Sequence, residues 1–170
     1  MTTTTLSNTS LHPTAIDLAS TSREQLVNLL NTQLAQLIDL RLQTKTAHWN
    51  VKGMHFIALH QLFDTLVTAL DEPIDDVAER ASTLGGTAHG LLHHVSAHTM
   101  LPPLPLSAPH HLAGETLARA LIEHVAMVAN TTRQAIDQAV NWGDADTADL
   151  FTSVSRLLDK QLWFLEAHVQ

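Results

Sequence analysis

The sequence predicts an all-α fold, a four-helix bundle with one long crossover connection that bears a short helix. Apolar residues make up 45% of the chain, whereas Gly and Pro number only six each and Tyr is absent. This balance favours helices over sheet. Four segments carry apolar residues at helical spacing, and residues 87–112 separate the second from the third. A connection of that length lets two consecutive helices run in the same direction.

The N-terminal residues 1–20 are predicted to be a flexible tail, followed by one domain over residues 21–170. The tail is rich in Thr and Ser and contains no Lys or Arg. The first helix is expected to begin at a capping box of Thr21 and Glu24. Its apolar stripe continues to about Trp49.

The second helix is predicted over residues 56–84. Gly85 and Gly86 follow it and suit a left-handed C-terminal cap. Pro73 is expected to kink this helix at a cost of about 3 kcal/mol, because its ring displaces the carbonyl near Ala69 and removes one hydrogen bond.

The remaining elements are a short helix around residues 89–98 and two long helices. A stretch with four prolines follows the short helix: Pro102, Pro103, Pro105 and Pro109. The third long helix is predicted over residues 114–140. The fourth follows an N-cap at Asp144 or Asp146 and runs to about His168.

Composition and charge exclude several classes of function. The absence of Cys excludes disulfides, thiolate zinc sites and thiol nucleophiles. No apolar run reaches the roughly 18 residues needed to cross a bilayer and no signal peptide is evident, so a soluble cytoplasmic protein is expected, with the nucleoid as an alternative location. The formal net charge of −8 repels phosphate backbones and attracts cations.

Two pairs of metal-capable side chains lie one helical turn apart in the second helix, His60 with Asp64 and Asp75 with Glu79. The 11 positions from Asp64 to Asp75 return to nearly the same face, but about 16 Å further along, too far for both pairs to bind one ion. Antiparallel two-fold packing against a second copy, near residues 69 and 70, would bring His60 opposite Glu79. We therefore predict two identical metal sites between subunits. Taken singly, such pairs are more often solvated or salt-bridging groups.

Several segments resemble the Dps-like mini-ferritins, the family named for DNA-binding proteins of starved cells. They are HWNVKGMHFIALHQLFD from His48, DDVAERASTLGG from Asp75, and the later VANTTRQAI and DTADLFTSVSRLLDKQLWFLE. The resemblance covers about residues 26–166 and implies a ferritin-like four-helix bundle that assembles into a hollow homododecamer with iron-oxidising centres at two-fold interfaces. It implies that each centre takes its metal ligands, which are also its catalytic residues, from two subunits: His48, His60 and Asp64 of one, and Asp75 and Glu79 of its neighbour.

The resemblance implies a ferroxidase and iron-storage protein. Such a protein oxidises Fe(II), with hydrogen peroxide as the preferred oxidant or with oxygen, and stores the ferric mineral inside its shell, which protects the cell from oxidative damage. Trp49 is interpreted either as a sink for stray oxidising equivalents or as a core residue. Asp144, Asp146 and Asp149 resemble the acidic stretch that lines the family's three-fold pores, and helix capping is their competing role.

Two alternatives stay open. One is a starvation-induced protein that binds and compacts DNA, with iron oxidation secondary. The family's DNA-binding members usually use a lysine-rich extension, so the absence of Lys and Arg from this tail argues against DNA as a partner. The other is a structural assembly whose metal site has decayed. No Glu-x-x-His motif occurs in the chain, which argues against a full-size ferritin centre inside one bundle.

Four further histidines form two i,i+4 pairs, His89 with His93 and His94 with His98. They are interpreted either as an auxiliary site for zinc or another divalent metal, or as solvated and interface groups.

Overall fold

The computed structural model describes residues 11–107, 109 and 113–170, and helices are the only regular elements in these ranges. They are α1 (Ser20–Asn50), α2 (Phe56–Ala69), α3 (Asp71–Thr83), α4 (Leu92–His98), α5 (Ala113–Asn141) and α6 (Ala145–Glu166). Together α2 and α3 form one bent long helix of the bundle, and α4 lies in the crossover. The predicted all-α four-helix bundle with a long connection is therefore confirmed.

The bundle consists of two helical hairpins joined by the crossover. In the first, the start of α1 lies beside the end of α3, where Arg23 Nη1 donates to the Leu84 carbonyl at 3.1 Å. In the second, α5 packs along α6, and Arg133 forms an ion pair with Asp159. Because α1 also runs antiparallel to α5, the bent second helix and α5 point the same way, as the crossover length predicted.

The bend in the second helix falls at Leu70, between α2 and α3. Pro73 lies in the first turn of α3, where a backbone N–H has no partner inside the helix, so its missing donor costs little. The carboxylates of Asp71 and Glu72 also lie in that turn and favour the positive end of the helix dipole. The sequence prediction of a kink is confirmed, and the chain accommodates it by starting a new helix.

The helix ends confirm two predicted caps, the C-terminal cap after α3 and the Asp144 N-cap of α6, and correct a third. Gly85 has a φ of +88°, Gly86 N donates to the Ala81 carbonyl at 2.9 Å, and Gly85 N donates to the Ser82 carbonyl at 2.9 Å. These two bonds form the predicted left-handed C-terminal cap. The capping box at Thr21 is wrong, because α1 begins at Ser20 and no side chain caps it.

Residues 11–19 have no regular structure but contact the end of the bundle. His12 N donates to the Gly85 carbonyl at 2.7 Å, and the side chains of Leu11, Ile16 and Leu18 pack against the core. The first ten residues of the predicted tail lie outside the described residues. The division of the chain at residue 20 stays a prediction.

The core fills the space between the two hairpins with aliphatic side chains and two phenylalanines. Within the described chain, no helix is long and apolar enough to cross a membrane. In the core, the side chains are buried almost completely. Burying one such side chain contributes about 1.5–3 kcal/mol. The largest fully buried residues are Leu26, Leu30, Leu34, Leu37, Leu40, Phe63, Leu66, Leu70, Leu84, Leu117, Leu121 and Phe151.

Candidate metal centre

His48 and His60 face each other across the turn of the first hairpin. His48 lies in the last turn of α1 and His60 near the start of α2, and their rings stack with centroids 3.7 Å apart. Each ring bonds the main chain of the other residue: His48 Nδ1 lies 2.8 Å from the His60 carbonyl, and His60 Nδ1 lies 3.0 Å from the His48 carbonyl.

These two hydrogen bonds determine which nitrogen of each ring can bind a metal. A carbonyl oxygen can only accept, so each Nδ1 must carry the proton. In a neutral imidazole the other nitrogen, Nε2, then has a free lone pair. A hydrogen bond of this kind also fixes the orientation of a metal-ligating ring. The hairpin therefore holds two imidazoles in the tautomer that a metal ion requires.

Asp64 lies one turn beyond His60, as the i,i+4 spacing predicted. Its Oδ1 is 2.5 Å from Lys45 Nζ and 4.0 Å from His48 Nδ1, and half of the carboxylate side chain is exposed. The hydrogen bond from Lys45 lowers the pKa of Asp64 against a smaller opposing effect of burial, and the positive charge of Lys45 lowers it further. The carboxylate is thus ionised at neutral pH.

Lys45 is the residue of this cluster that sequence reasoning missed. It lies three positions before His48 on the same face of α1, so its spacing was visible in the sequence. The signal was weak because surface lysines are common. In the structure its ammonium group donates to Asp64 Oδ1.

Asp75 and Glu79 lie on α3, beyond the bend, and both are exposed. Among the described residues of one protomer, no group of three or more His, Asp or Glu side chains is placed to hold a metal ion. The single chain brings His48, His60 and Asp64 side by side but does not add Asp75 and Glu79 to them. The five-residue centre between subunits stays a prediction.

A groove runs along α2 from Asp64 to the bend. Its volume is about 550 Å³, and it is lined by Gln61, Asp64, Thr65, Thr68 and Ala69. The predicted two-fold axis near residues 69 and 70 passes by the end of this groove. A second helix packed there would reach the Asp64 carboxylate.

Several apolar side chains of the hairpin that carries the histidine pair are exposed. Met54, Phe56 and Ile57 are exposed, and the Phe56 ring lies 5.1 Å from that of His60. Trp49 is 64% exposed, so its interpretation as a core residue is wrong. An apolar patch of this kind on a single chain is typical of a protein interaction surface.

Of the three acidic residues with a predicted pore role, Asp144 has a structural role instead. It is only 3% exposed, caps α6 through the Thr147 backbone N–H, and accepts two bonds from Arg80 Nη2 at 2.8 and 2.9 Å. Burial tends to raise the pKa of Asp144, but the hydrogen bonds from Thr147 and Arg80 outweigh burial and lower it. Asp146 and Asp149 are exposed and stay candidates for the pore.

The four histidines near α4 are paired differently from the sequence prediction. His94 stacks on His98 as expected, with centroids 4.0 Å apart. His89 contacts His94 at 4.7 Å instead of pairing with His93. The reason is that α4 begins only at Leu92, so His89 precedes the helix and lacks helical i,i+4 spacing to His93.

Comparison with known proteins agrees with this architecture. The ferritin-like domain model matches residues 27–170. A DNA protection during starvation protein of Agrobacterium fabrum is 50% identical over 162 residues, which cover 94% of this chain and 96% of the relative. General stress protein 20U of Bacillus subtilis is 28% identical over 150 residues, 86% of this chain and 98% of the relative.

Solved structures agree as well. DpsC from Streptomyces coelicolor superimposes with a TM-score of 0.88 at 30% identity, over 95% of this chain and 92% of that one. A Dps protein from Vibrio cholerae, described as a member of a broad superfamily of ferritin-like diiron-carboxylate proteins, gives a TM-score of 0.84 at 25% identity, over 95% and 99%. With a family model over most of its length and a Dps relative identical at half of the aligned positions, this chain belongs to the ferritin-like family as a Dps-like mini-ferritin.

Proposed function

We propose that this protein is a ferroxidase that oxidises Fe(II) at sites shared between two subunits and stores the ferric product in a hollow dodecamer, in protection against oxidative stress. The observation that carries this proposal is the reciprocal bonding of His48 and His60, which leaves both Nε2 lone pairs free, with the Asp64 carboxylate 4.0 Å from His48 Nδ1. Imidazole and carboxylate together are ligands that accept iron.

The two-subunit form of the site is supported by what a single chain lacks. The described residues of one protomer do not complete a metal site, and the partial cluster lies beside a groove and an apolar patch. Asp75 and Glu79 of the partner subunit would supply two carboxylates, which stabilise the higher charge of Fe(III). An isolated chain would therefore bind iron weakly.

Iron is the substrate here, and hydrogen peroxide is the proposed oxidant. Two Fe(II) ions give one electron each to one peroxide molecule, which takes up two protons and leaves as two water molecules. Oxygen is the slower alternative. Before iron enters, Lys45 neutralises Asp64, and iron binding requires this ammonium group to move away from the carboxylate.

Stopped-flow absorbance with Fe(II) and peroxide tests the proposed centre. We expect Asp75→Asn combined with Glu79→Gln to assemble normally and to lose the fast oxidation phase. The matched control is Glu72→Gln with Asp76→Asn, which removes the same charge from α3 but lies in the groove against α6. Full oxidation rates in the first variant, or equal loss in both, would refute the site.

Assembly requires a separate measurement, because an assembled shell is compatible with an inactive centre. Native mass spectrometry of the wild type should give a dodecamer. Replacing Ile57 with Glu in the apolar patch should release smaller species and slow iron oxidation together. A monomer that oxidises iron at the full rate would contradict shared sites.

DNA binding is the second candidate, favoured by the similarity to a relative named for DNA protection. The absence of Lys and Arg before Arg23 argues against it. A gel-shift series at low salt tests whether the protein binds DNA. No shift at pH 7 eliminates DNA binding at neutral pH, and a shift that appears only below about pH 6 would indicate acid-dependent binding through the histidines.

A further inference from the structure

A second group of imidazoles lies away from the iron centre, where the crossover passes over α1. His89, His94 and His98 form a continuous row of rings, with centroids 4.7 Å apart for the first pair and 4.0 Å for the second. Nothing in the proposed iron chemistry uses these side chains. We refer to His89, His94 and His98 as the histidine row.

The main chain at His89 is fixed to the bundle by one buried side chain. Asn31 of α1 is 6% exposed, and its Oδ1 accepts from His89 N at 2.8 Å. Its Nδ2 donates to the Thr87 carbonyl at 3.0 Å and to the Val27 carbonyl at 3.0 Å. Asn31 therefore determines where the irregular segment places the His89 ring relative to α4.

The rings carry lone pairs that a metal ion can use. His98 Nδ1 lies 2.8 Å from the His94 carbonyl, so this nitrogen carries the proton and Nε2 is free.

We propose that His89, His94 and His98 together bind one divalent transition-metal ion of the kind that prefers imidazole nitrogen, such as Cu²⁺ or Zn²⁺. Affinity for nitrogen ligands rises along the divalent series to copper, so Cu²⁺ should bind more tightly than Fe²⁺. The row would thus hold ions other than the iron substrate. Its ligands are distinct from those of the iron centre.

As placed in this structure, the three side chains do not form a metal site, because the His94 and His98 rings are stacked at an interplanar angle of 20° and at least one must rotate before both can bind the same ion. With metal–nitrogen distances of about 2.0–2.1 Å, two rings on one tetrahedral ion have centroids about 5 Å apart. His94 and His98 are closer than that by about 1 Å. Because the His98 ring is exposed at the end of α4, a small side-chain rotation can separate the pair. The fourth position would be taken by water.

Copper titration of the assembled protein tests the proposal. The wild type is compared with His94→Gln combined with His98→Gln, and with His93→Gln, a control on the same helix that lies outside the row. Electron paramagnetic resonance of the protein with one Cu²⁺ per chain reports bound nitrogens directly, and competition with a colorimetric chelator gives the affinity. Parallel titrations use Zn²⁺ alone.

We expect nitrogen couplings in the wild type and in His93→Gln. The double variant should bind copper at least about 100-fold more weakly, since even a hydrogen-bond partner of a ligand contributes 10- to 100-fold. Equal affinity in all three proteins, or a spectrum without nitrogen couplings, would overturn the proposal. If the double variant fails to assemble, His89→Gln, outside any helix, provides the same comparison.

The test separates this site from the iron centre. Copper binding at the row should persist in the variant with Asp75→Asn and Glu79→Gln, whether or not that variant oxidises iron. Loss of copper from that variant, with the row intact, would assign the copper to the iron centre and contradict the proposal.

Discussion

The ion pair of Asp144 and Arg80 gives the most quantitative prediction, because Asp144 is buried and stabilises the fold, whereas Asp146 is exposed and stays a candidate for the pore. The perturbation is Asp144→Ala, compared with Asp146→Ala two residues later. Asp144 is buried and receives two bonds from Arg80 and two from Thr147. The Asp146 side chain is 86% exposed and lies 3.8 Å from Arg80.

The expected magnitude follows from burial. Removing one partner of a buried ion pair costs about 3–5 kcal/mol, and the lost N-cap accounts for about 1 kcal/mol of that. In the variant, Arg80 keeps a bond to Thr147 Oγ1 at 2.9 Å and its contact with Asp146, so we expect a loss near the lower end of this free-energy range. A loss of about 3 kcal/mol lowers the melting temperature of a domain of this size by roughly 6–12 °C.

Thermal unfolding at fixed protein concentration measures the effect, since assembly makes stability concentration-dependent. Asp146→Ala should melt within about 2 °C of the wild type, as expected for an exposed substitution. It should also slow Fe(II) uptake if Asp146 lines a pore. Asp144→Ala melting within the same 2 °C would refute the reasoning, and so would equal destabilisation by both variants.

Three further predictions use other parts of the fold. The lowered pKa of Asp144 means that its contribution to stability is present above pH 4 and is lost as the pH falls through the folded-state pKa. Urea unfolding between pH 5 and 3 should therefore show a weaker dependence of the unfolding free energy on pH for Asp144→Asn than for the wild type, and an equal dependence in both proteins would contradict this. Gly86→Ala would bring a Cβ within 2.4 Å of a Val27 methyl, and this clash should lower the free energy of unfolding, measured in urea, by about 1–3 kcal/mol. In Gly143→Ala the added Cβ meets no atom within 4 Å, so the variant should lose only about 1–2 kcal/mol, because its φ of +83° is strained for alanine. His60→Asn keeps a donor near the Nδ1 position, so it should retain thermal stability and lose fast iron oxidation. His60→Gln should lose both, because it loses the hydrogen bond to the His48 carbonyl, which contributes about 0.5–1.5 kcal/mol. Equal melting temperatures of the two variants would argue against a structural role for that hydrogen bond.

The placement of Lys45 also has a consequence for iron binding. Its ammonium group pairs with Asp64 in the iron-free chain, so the carboxylate is partly shielded from incoming cations. The Lys45 and Asp64 side chains are 29% and 50% exposed, so solvent reaches the pair and Lys45 would be able to leave if iron binds. The lysine would thus keep the carboxylate ionised until an iron ion displaces the ammonium group.

The fold class was determined by the sequence itself, and so was the helical spacing of the predicted ligands. Apolar spacing predicted the four long helices, and Pro73 predicted the bend that the structure has at Leu70. The i,i+4 spacing alone placed Asp64 one turn from His60. These features are local, because the helical period sets which residues share a face and backbone geometry sets where a helix breaks.

Tertiary structure decided how side chains from different elements meet. No spacing in the sequence shows that the His48 and His60 rings each bond the other's main chain. The same is true of the ion pair between Asp144 and Arg80, and of the contact of His89 with His94 instead of His93. Each of these contacts joins residues whose approach depends on how two elements pack. Hydrogen bonds and burial at such contacts then select the tautomer or the charge state, and the linear order of residues carries no direct record of them.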